Sequence, residues 1–329
     1  MAAQGHTSIA WPLDLLCPVD GSQQIVGFLM RRMTRMSPLI DFYNPGTRRQ
    51  QRPLFDYFHL HQTARNLAAA VHALHTRGYI IGDVKESNIV AADTALVTLV
   101  DTDSFQVHDS HNGLVYRCSV GTPELTPPEL QGMDFASVDR RPEHDRFGLA
   151  VLIFHLLMEG PHPFAGRYQG SGDPPPYEAR IAAGHFPYGR RSVPYTPLPV
   201  APPFDILHST LQHLFIRCFQ DGYTAPQVRP DALTWRTALD EARDALITCT
   251  INTQHRYGSH LHACPWCERT ARLGGRDPFP SQATVQRREH LRPATHARTM
   301  SSPPQAPSPP IRPAPTPTIP RPRPSQHPR

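Results

Sequence analysis

What most constrains this chain is the run from residue 55 to residue 158, where two helix patterns enclose a polar loop flanked by strands. From Phe55 to Arg77 the apolar residues recur at helical spacing. Phe58, Leu60, Ala64, Leu67, Ala68, Val71 and Leu74 share one face, and Gly78 suits the C-cap. Tyr79-Ile80-Ile81 and Ile89-Val90 are strand-like, and Leu96 to Val100 is a strand that ends at Asp101. Phe147 to Met158 reads as an apolar helix, stopped by Gly160 and Pro161. With 39% hydrophobic residues in 329, there is material for a real core.

Outside that run, Ile25 to Met30 reads as a strand entered by a turn at Asp20-Gly21, and residues 37–53 as a loop rich in Pro, Gly and Arg. Residues 104–144 lack periodicity. A Pro/Gly-rich region over 165–203 holds a short helix near Tyr177 to Ala183. Leu207 to Phe219 and Asp231 to Leu246 predict two more helices. From about residue 275 the chain is Pro, Arg, Ser and Thr without period, a composition expected to be disordered and partly polyproline II. There is no internal repeat.

The formal charge of +5 is mild, and its excess falls in the tail, where Asp277 and Glu289 are the only acids after Glu268. A solvated spacer is the expected role; a nucleic-acid partner has only the charge in its support. No stretch approaches the ~20 apolar residues of a membrane span. No secretory signal pattern opens the chain, so a cytoplasmic location is expected.

The chemistry concentrates in Gly82-Asp83-Val84-Lys85-Glu86-Ser87-Asn88. Phosphoryl transfer needs a carboxylate to orient the acceptor hydroxyl, a cation near the moving phosphate and an amide oxygen on the metal. Asp83, Lys85 and Asn88 supply all three from one loop, and Asp101 follows at a strand end, where it could hold the metal. Singly, each has a plainer reading as a turn or strand-end residue.

In this order the residues resemble the protein kinases, over roughly residues 1–246. His75 fits the family's lead-in to the catalytic loop, which Asp83, Lys85 and Asn88 match. Asp101 matches the metal-binding Asp of the DFG motif. Gly121-Thr122 and Pro128-Glu129 resemble the end of the activation segment. Asp145 opens a helix like the one that anchors the loop, and His162-Pro163-Phe164 resembles the motif after it. Arg229 resembles the late arginine that pairs with the activation-segment Glu, here Glu129. The implied fold is α+β and kinase-like, with a mainly helical C-lobe at 34–246 and a partial N-lobe at 1–33. The implied cofactors are ATP and Mg²⁺, and the implied reaction is transfer to a protein Ser or Thr. Met30 to Met33 resembles the hinge that meets adenine.

The departures are specific. Gly82 stands where the family carries an arginine that receives a phosphorylated activation loop, so regulation by that route is not expected. Asp103 stands where DFG has its glycine, which leaves open whether Asp101 or Asp103 is the ligand; spacing favours Asp101. No Gly-rich loop precedes residue 30. Lys85 is the only lysine, so none remains to grip the phosphates. Arginine does not substitute freely, since its planar fork differs from a compact ammonium. A misplaced start, a truncated pseudokinase scaffold and an N-lobe completed by another chain all fit. The wording of the motifs resembles a bacterial kinase-like family, for which a PP2C-type phosphatase and a von Willebrand A-type protein are implied partners.

Six cysteines are present, and three of them cluster late with histidines. Cys249, His255, Cys264 and Cys267 could form a closed tetrahedral zinc site, a structural module at 247–270. His260 and His262 compete as ligands, and a free CxxC pair is the alternative.

Overall fold

The computed structural model describes residues 8–20 and 24–292. Pro12–Leu16 (β1) and Gly27–Met30 (β2) form an antiparallel pair, with Pro12 opposite Met30. The expected strand therefore starts two residues late, and Gly21 of the expected turn lies outside the described residues. Met36–Pro38 (β3), Ile89–Ala92 (β4) and Val97–Leu99 (β5) make a three-stranded antiparallel sheet in that order.

Residues 37–53, expected as a loop, instead enter helices Ile40–Tyr43 (α1) and Pro45–Gln51 (α2). The signal is Asn44-Pro45. The Asn44 Oδ1 accepts from the N–H groups of Gly46 and Thr47 at 2.9 and 3.1 Å, and proline fits the first helical turn. Arg48 then turns inward and bonds Glu159 at 2.6 Å, with both side chains almost completely buried. One arginine of a Pro/Gly/Arg-rich stretch is thus part of the core.

Tyr57–His75 (α3) forms within the expected span. Asp56 caps it by accepting from His59 N at 3.1 Å, and Gly78 follows with φ +77°. Its apolar face packs on Pro142–Leu157 (α4) and on the helix Ala232–Asp244. Asp145 and Glu143 lie in the first turn of α4, where carboxylates suit the helix dipole. α4 is buried on nearly every side, as its unbroken apolar run requires. Tyr177–Ala182 (α5) and Ser209–Ile216 (α6) follow, α6 running into a π-helical turn at Arg217–Asp221. Residues 104–141 are mostly turns and short 3₁₀ segments.

The start of the expected disordered tail, residues 275–292, is instead ordered. Phe279 is fully buried and meets Tyr57 and Trp266 edge-on, and a short helix spans Gln282–Gln286. The expectation of disorder beyond residue 292 lies outside the described residues. Among them, no helix is long and apolar enough to cross a membrane.

Two core histidines make the fold acid-sensitive. Burial pushes His61 down to about 4, and burial with the neighbouring His155 pushes His162 down to about 3. Both values lie below the unfolded one, so the unfolded chain takes up protons first as pH falls. Stability should hold above pH ~6.5 and decline towards pH ~4, by about 1.4 kcal/mol per histidine per pH unit at the steepest. Urea midpoints at pH 7 and pH 4.5 measure this; equal midpoints would show that these rings already carry protons in the fold.

Candidate active site and metal centre

The loop between α3 and β4 is held from below by Asp145. Its carboxylate, 1% exposed, accepts from the N–H groups of Ile81 and Gly82 at 2.8 Å each and lies 2.9 Å from His75 Nε2. Leu67, Val71, Ile81, Val84, Leu99 and Phe105 fill the space beneath the loop. With a fixed backbone and a packed floor, the loop side chains have few alternatives.

Asp83 is 2% exposed. One carboxylate oxygen accepts from Thr122 Oγ1 at 3.0 Å, and the other lies 2.5 Å from Lys85 Nζ. The hydrogen bond to Asp83 raises Lys85 above its ordinary value, and the charge of Asp101 acts in the same direction. Lys85 is therefore a firm cation, in contact with Asp83 and in the field of Asp101. Asn88 Nδ2 bonds the Asp83 carbonyl at 3.3 Å, and Val100 N donates to the Asn88 carbonyl at 2.9 Å. That second bond sets Asn88 beside the end of β5.

Asp101 comes next, in the left-handed region at φ 60°, ψ 38°. Among the described residues no donor bonds its exposed carboxylate. Asp103 is exposed in the following 3₁₀ turn. The N-terminal segment braces this region: Leu99 N donates to Ser8 O, Ala10 N to Leu99 O, each at 2.9 Å, and Thr102 Oγ1 to Ala10 O at 3.0 Å. Trp11 packs on Tyr79 and Phe105. The loop thus brings Asp83, Lys85, Asn88 and Asp101 together. Met30 ends β2 and is exposed, while Met33, half-buried, lies in the link from β2 to β3.

Further out, Arg229 grips Glu129 with two parallel bonds of 2.6 and 2.7 Å. It also bonds the carbonyls of Glu143 and Gly222 at 3.0 and 2.8 Å. Gly222 is required there, since a Cβ would come within 2.5 Å of the Arg229 side chain.

Cys249, His255, Cys264 and Cys267 converge, with all four ligand atoms within 4.8 Å of one another. The sulfurs of Cys249 and Cys267 are 3.7 Å apart, and His255 Nδ1 lies 3.4 and 3.5 Å from those of Cys267 and Cys264. Tetrahedral zinc bonds imply S–S edges of about 3.8 Å and S–N edges of about 3.5 Å. The three edges given above match those values, and three thiolates with an imidazole suit that ion. Asp277 lies 2.9 Å from His255 Nε2 and accepts its proton-bearing side, which leaves Nδ1 as the ligand atom. Burial raises the Cys249 thiol, but hydrogen bonds from the N–H groups of Asn252 and Ile251 and with the Cys267 and Cys264 thiols together bring it down to about 7. Burial pushes the Cys264 thiol up to about 12. His260 instead bonds the Asp205 carbonyl at 3.0 Å and stands outside the cluster, as does His262.

No family model matches the chain. Protein kinase YegI of Escherichia coli O157:H7 is 35% identical over 270 residues, 80% of this chain and 41% of that protein. YegI of strain K12 agrees equally well. A probable cAMP-dependent protein kinase catalytic subunit of Encephalitozoon cuniculi is 34% identical over 110 residues, 33% of this chain and 30% of that one. The chain belongs to a bacterial protein-kinase-like family. It spans about two fifths of the length of the YegI proteins, at 41%.

The departures from the kinase pattern have physical causes. Gly82 has φ +76°, and a Cβ there would lie 2.6 Å from Cys118 Cβ, so an arginine has no room. Arg140 takes over the tie that an arginine at this place could make. Its guanidinium donates to the carbonyls of Gly82 and Val120 at 2.8 and 2.9 Å and covers the Phe135 ring at 4.0 Å. Gln106 fixes the Arg140 backbone by two bonds, of 2.7 and 2.9 Å. Arg140 therefore ties the loop at Gly82 to the segment at Val120 through two carbonyls. Sequence reasoning passed over Arg140 and Asp277, because each lies in a stretch without periodicity. The aromatic Phe279, isolated among prolines, was the available signal for the second.

Proposed function

We propose that this chain is the catalytic-loop portion of a serine/threonine-protein-kinase-like enzyme that moves the γ-phosphoryl group of ATP to a protein hydroxyl. The observation that carries this reading is Asp83, buried and held between Lys85 and Thr122 with Asn88 and Asp101 beside it. Asp83 would orient the acceptor hydroxyl and take its proton. Lys85 would offset charge that develops on the transferred group. Asn88 and Asp101, with Asp103 exposed close by, offer the oxygen donors that suit Mg²⁺. When bound, Mg²⁺ and ATP supply the transferable group and neutralise its phosphate charge. The Cys/His cluster, in the same reading, holds a structural zinc ion.

A catalytically silent scaffold is the second reading. Lys85 is the only lysine and is already bound to Asp83, which favours it. Thermal shift in MgATP separates the two. The enzyme reading expects a magnesium-dependent stabilisation that Asp101→Asn abolishes; a folded protein that shows no shift fits the scaffold. In an active preparation Asp83→Asn should retain the MgATP shift and lose phosphoryl transfer by about 10²–10⁴-fold. Transfer that survives this change would remove Asp83 from its role.

A further inference from the structure

A cavity of about 410 Å³ lies between the kinase-like helices and the Cys/His module, away from the catalytic loop. Arg49 of α2 lines it, with Arg269 and Arg276 from the segment after the CxxC turn. Val200 and Leu273 give it an apolar wall. Glu159, the one carboxylate among its lining residues, is already committed to Arg48 at 2.6 Å. Asp277 lies beside Arg49, but its oxygens serve His255, Asn252 and the Phe279 N–H.

The charges of these arginines are answered only at longer range, by Asp277 for Arg49 and by Glu159 for Arg269. None forms an ion pair among the described residues. The Nε atoms of Arg49 and Arg269 are shielded from solvent and have no acceptor. Arg269 spends one donor on the Val200 carbonyl at 2.6 Å, which fixes it at the cavity wall. Arg276 lowers its neighbour Arg49 by like-charge repulsion, after burial itself. Gathering like charges at a partly apolar concavity is unfavourable unless an anion arrives, and guanidinium forks bind carboxylate and phosphate oxygens in pairs. The volume lies in the range of small-molecule pockets, and the apolar wall selects a ligand with a non-polar body.

We propose that this cavity binds a small organic anion, a carboxylate or phosphate monoester carried on an apolar body. The test uses the full zinc-loaded chain and three probes, phenyl phosphate, benzoate and neutral phenol, followed by ligand-observed NMR titration. Phenyl phosphate and benzoate should bind saturably with millimolar affinity or better, and phenol should not. Arg49→Gln and Arg276→Gln should each weaken binding roughly tenfold. Arg276 is exposed, so that variant keeps the fold and the test stays readable if Arg49→Gln unfolds. Asp101→Asn should leave probe binding unchanged, which separates this site from a nucleotide cleft. Absence of saturable binding, equal binding of phenol, indifference to both arginine changes, or loss in Asp101→Asn would each overturn the proposal. A hexaglutamate peptide that outcompetes both anions would overturn the small-ligand assignment.

Discussion

Cys267→Ser is expected to empty the metal centre and to lower the melting temperature more than any single change in the catalytic loop. The four ligands lie within 20 residues of sequence but hold elements from well beyond them. Trp266, inside the CxxC turn, is fully buried against Tyr57 of α3 and donates to the Arg256 carbonyl at 2.6 Å. Phe279 packs on both rings, and the Arg48 guanidinium covers it at 4.6 Å. A zinc ion present at a thousand times its dissociation constant contributes about 4 kcal/mol to such a fold. Its loss also frees the buried aromatics to exchange with solvent. Elemental analysis should fall from one zinc per chain to none, and amide exchange should accelerate across Arg256–Gly258 and Pro265–Arg272. A Cys267→Ser protein with full zinc and an unchanged melting point would show that the cluster is only a group of thiols. Asp277→Asn is the milder companion: zinc stays at neutral pH, and affinity falls by about ten- to a hundredfold, because the imidazole loses its orienting carboxylate.

Glu129→Ala is expected to cost about 3 kcal/mol of unfolding free energy. The Arg229 side chain is completely buried, and removing its partner strands a charge in the core. Breaking buried pairs costs roughly 3–5 kcal/mol; the low end applies here, because the Glu129 side chain is 24% exposed and water can partly replace it. The remaining bonds from Arg229 to the carbonyls of Glu143 and Gly222 restrain the guanidinium but carry no compensating charge. Urea denaturation reads the loss directly. Glu129→Gln, which keeps acceptor and shape, should recover about half of it. A neutral result for Glu129→Ala would mean that Arg229 is solvated in solution and that the fork is not a clamp.

Much of the site could be read from the sequence because its parts are local. Asp83, Lys85 and Asn88 share one loop, and Asp101 ends the strand that β4 pairs with, so spacing alone places them together. The CxxC pair is as local, and its partners Cys249 and His255 follow from the ligand chemistry of zinc. What escaped depends on long-range ties. Arg140 reaches Gly82 across 58 residues, and nothing in its own stretch marks it. α2 hid behind composition: three of its seven residues are Pro, Gly or Thr, and only the Asn44-Pro45 start gives it away. The segment at 277–279 looked like the start of a spacer, because Gly274-Gly275 precedes it and proline dominates after it. Besides the nearby Trp266, the packing partners of Phe279 are Arg48 of α2 and Tyr57 of α3, more than two hundred residues upstream and beyond the range of any local pattern.

The edge-on packing of Trp266 and Phe279 on Tyr57, in the first turn of α3, also sets a schedule for biosynthesis. Arg48 touches the Pro278 carbonyl across 230 residues. The base of this long helix therefore stays open on the ribosome until Phe279 has emerged. At about 5–20 residues per second, that is a wait of roughly ten seconds or more with Tyr57 and its neighbours uncovered. Nascent chains should be most prone to aggregate and to proteolysis in this interval. Zinc, whose ligands are complete only once Cys267 has emerged, would bind near the close of this interval.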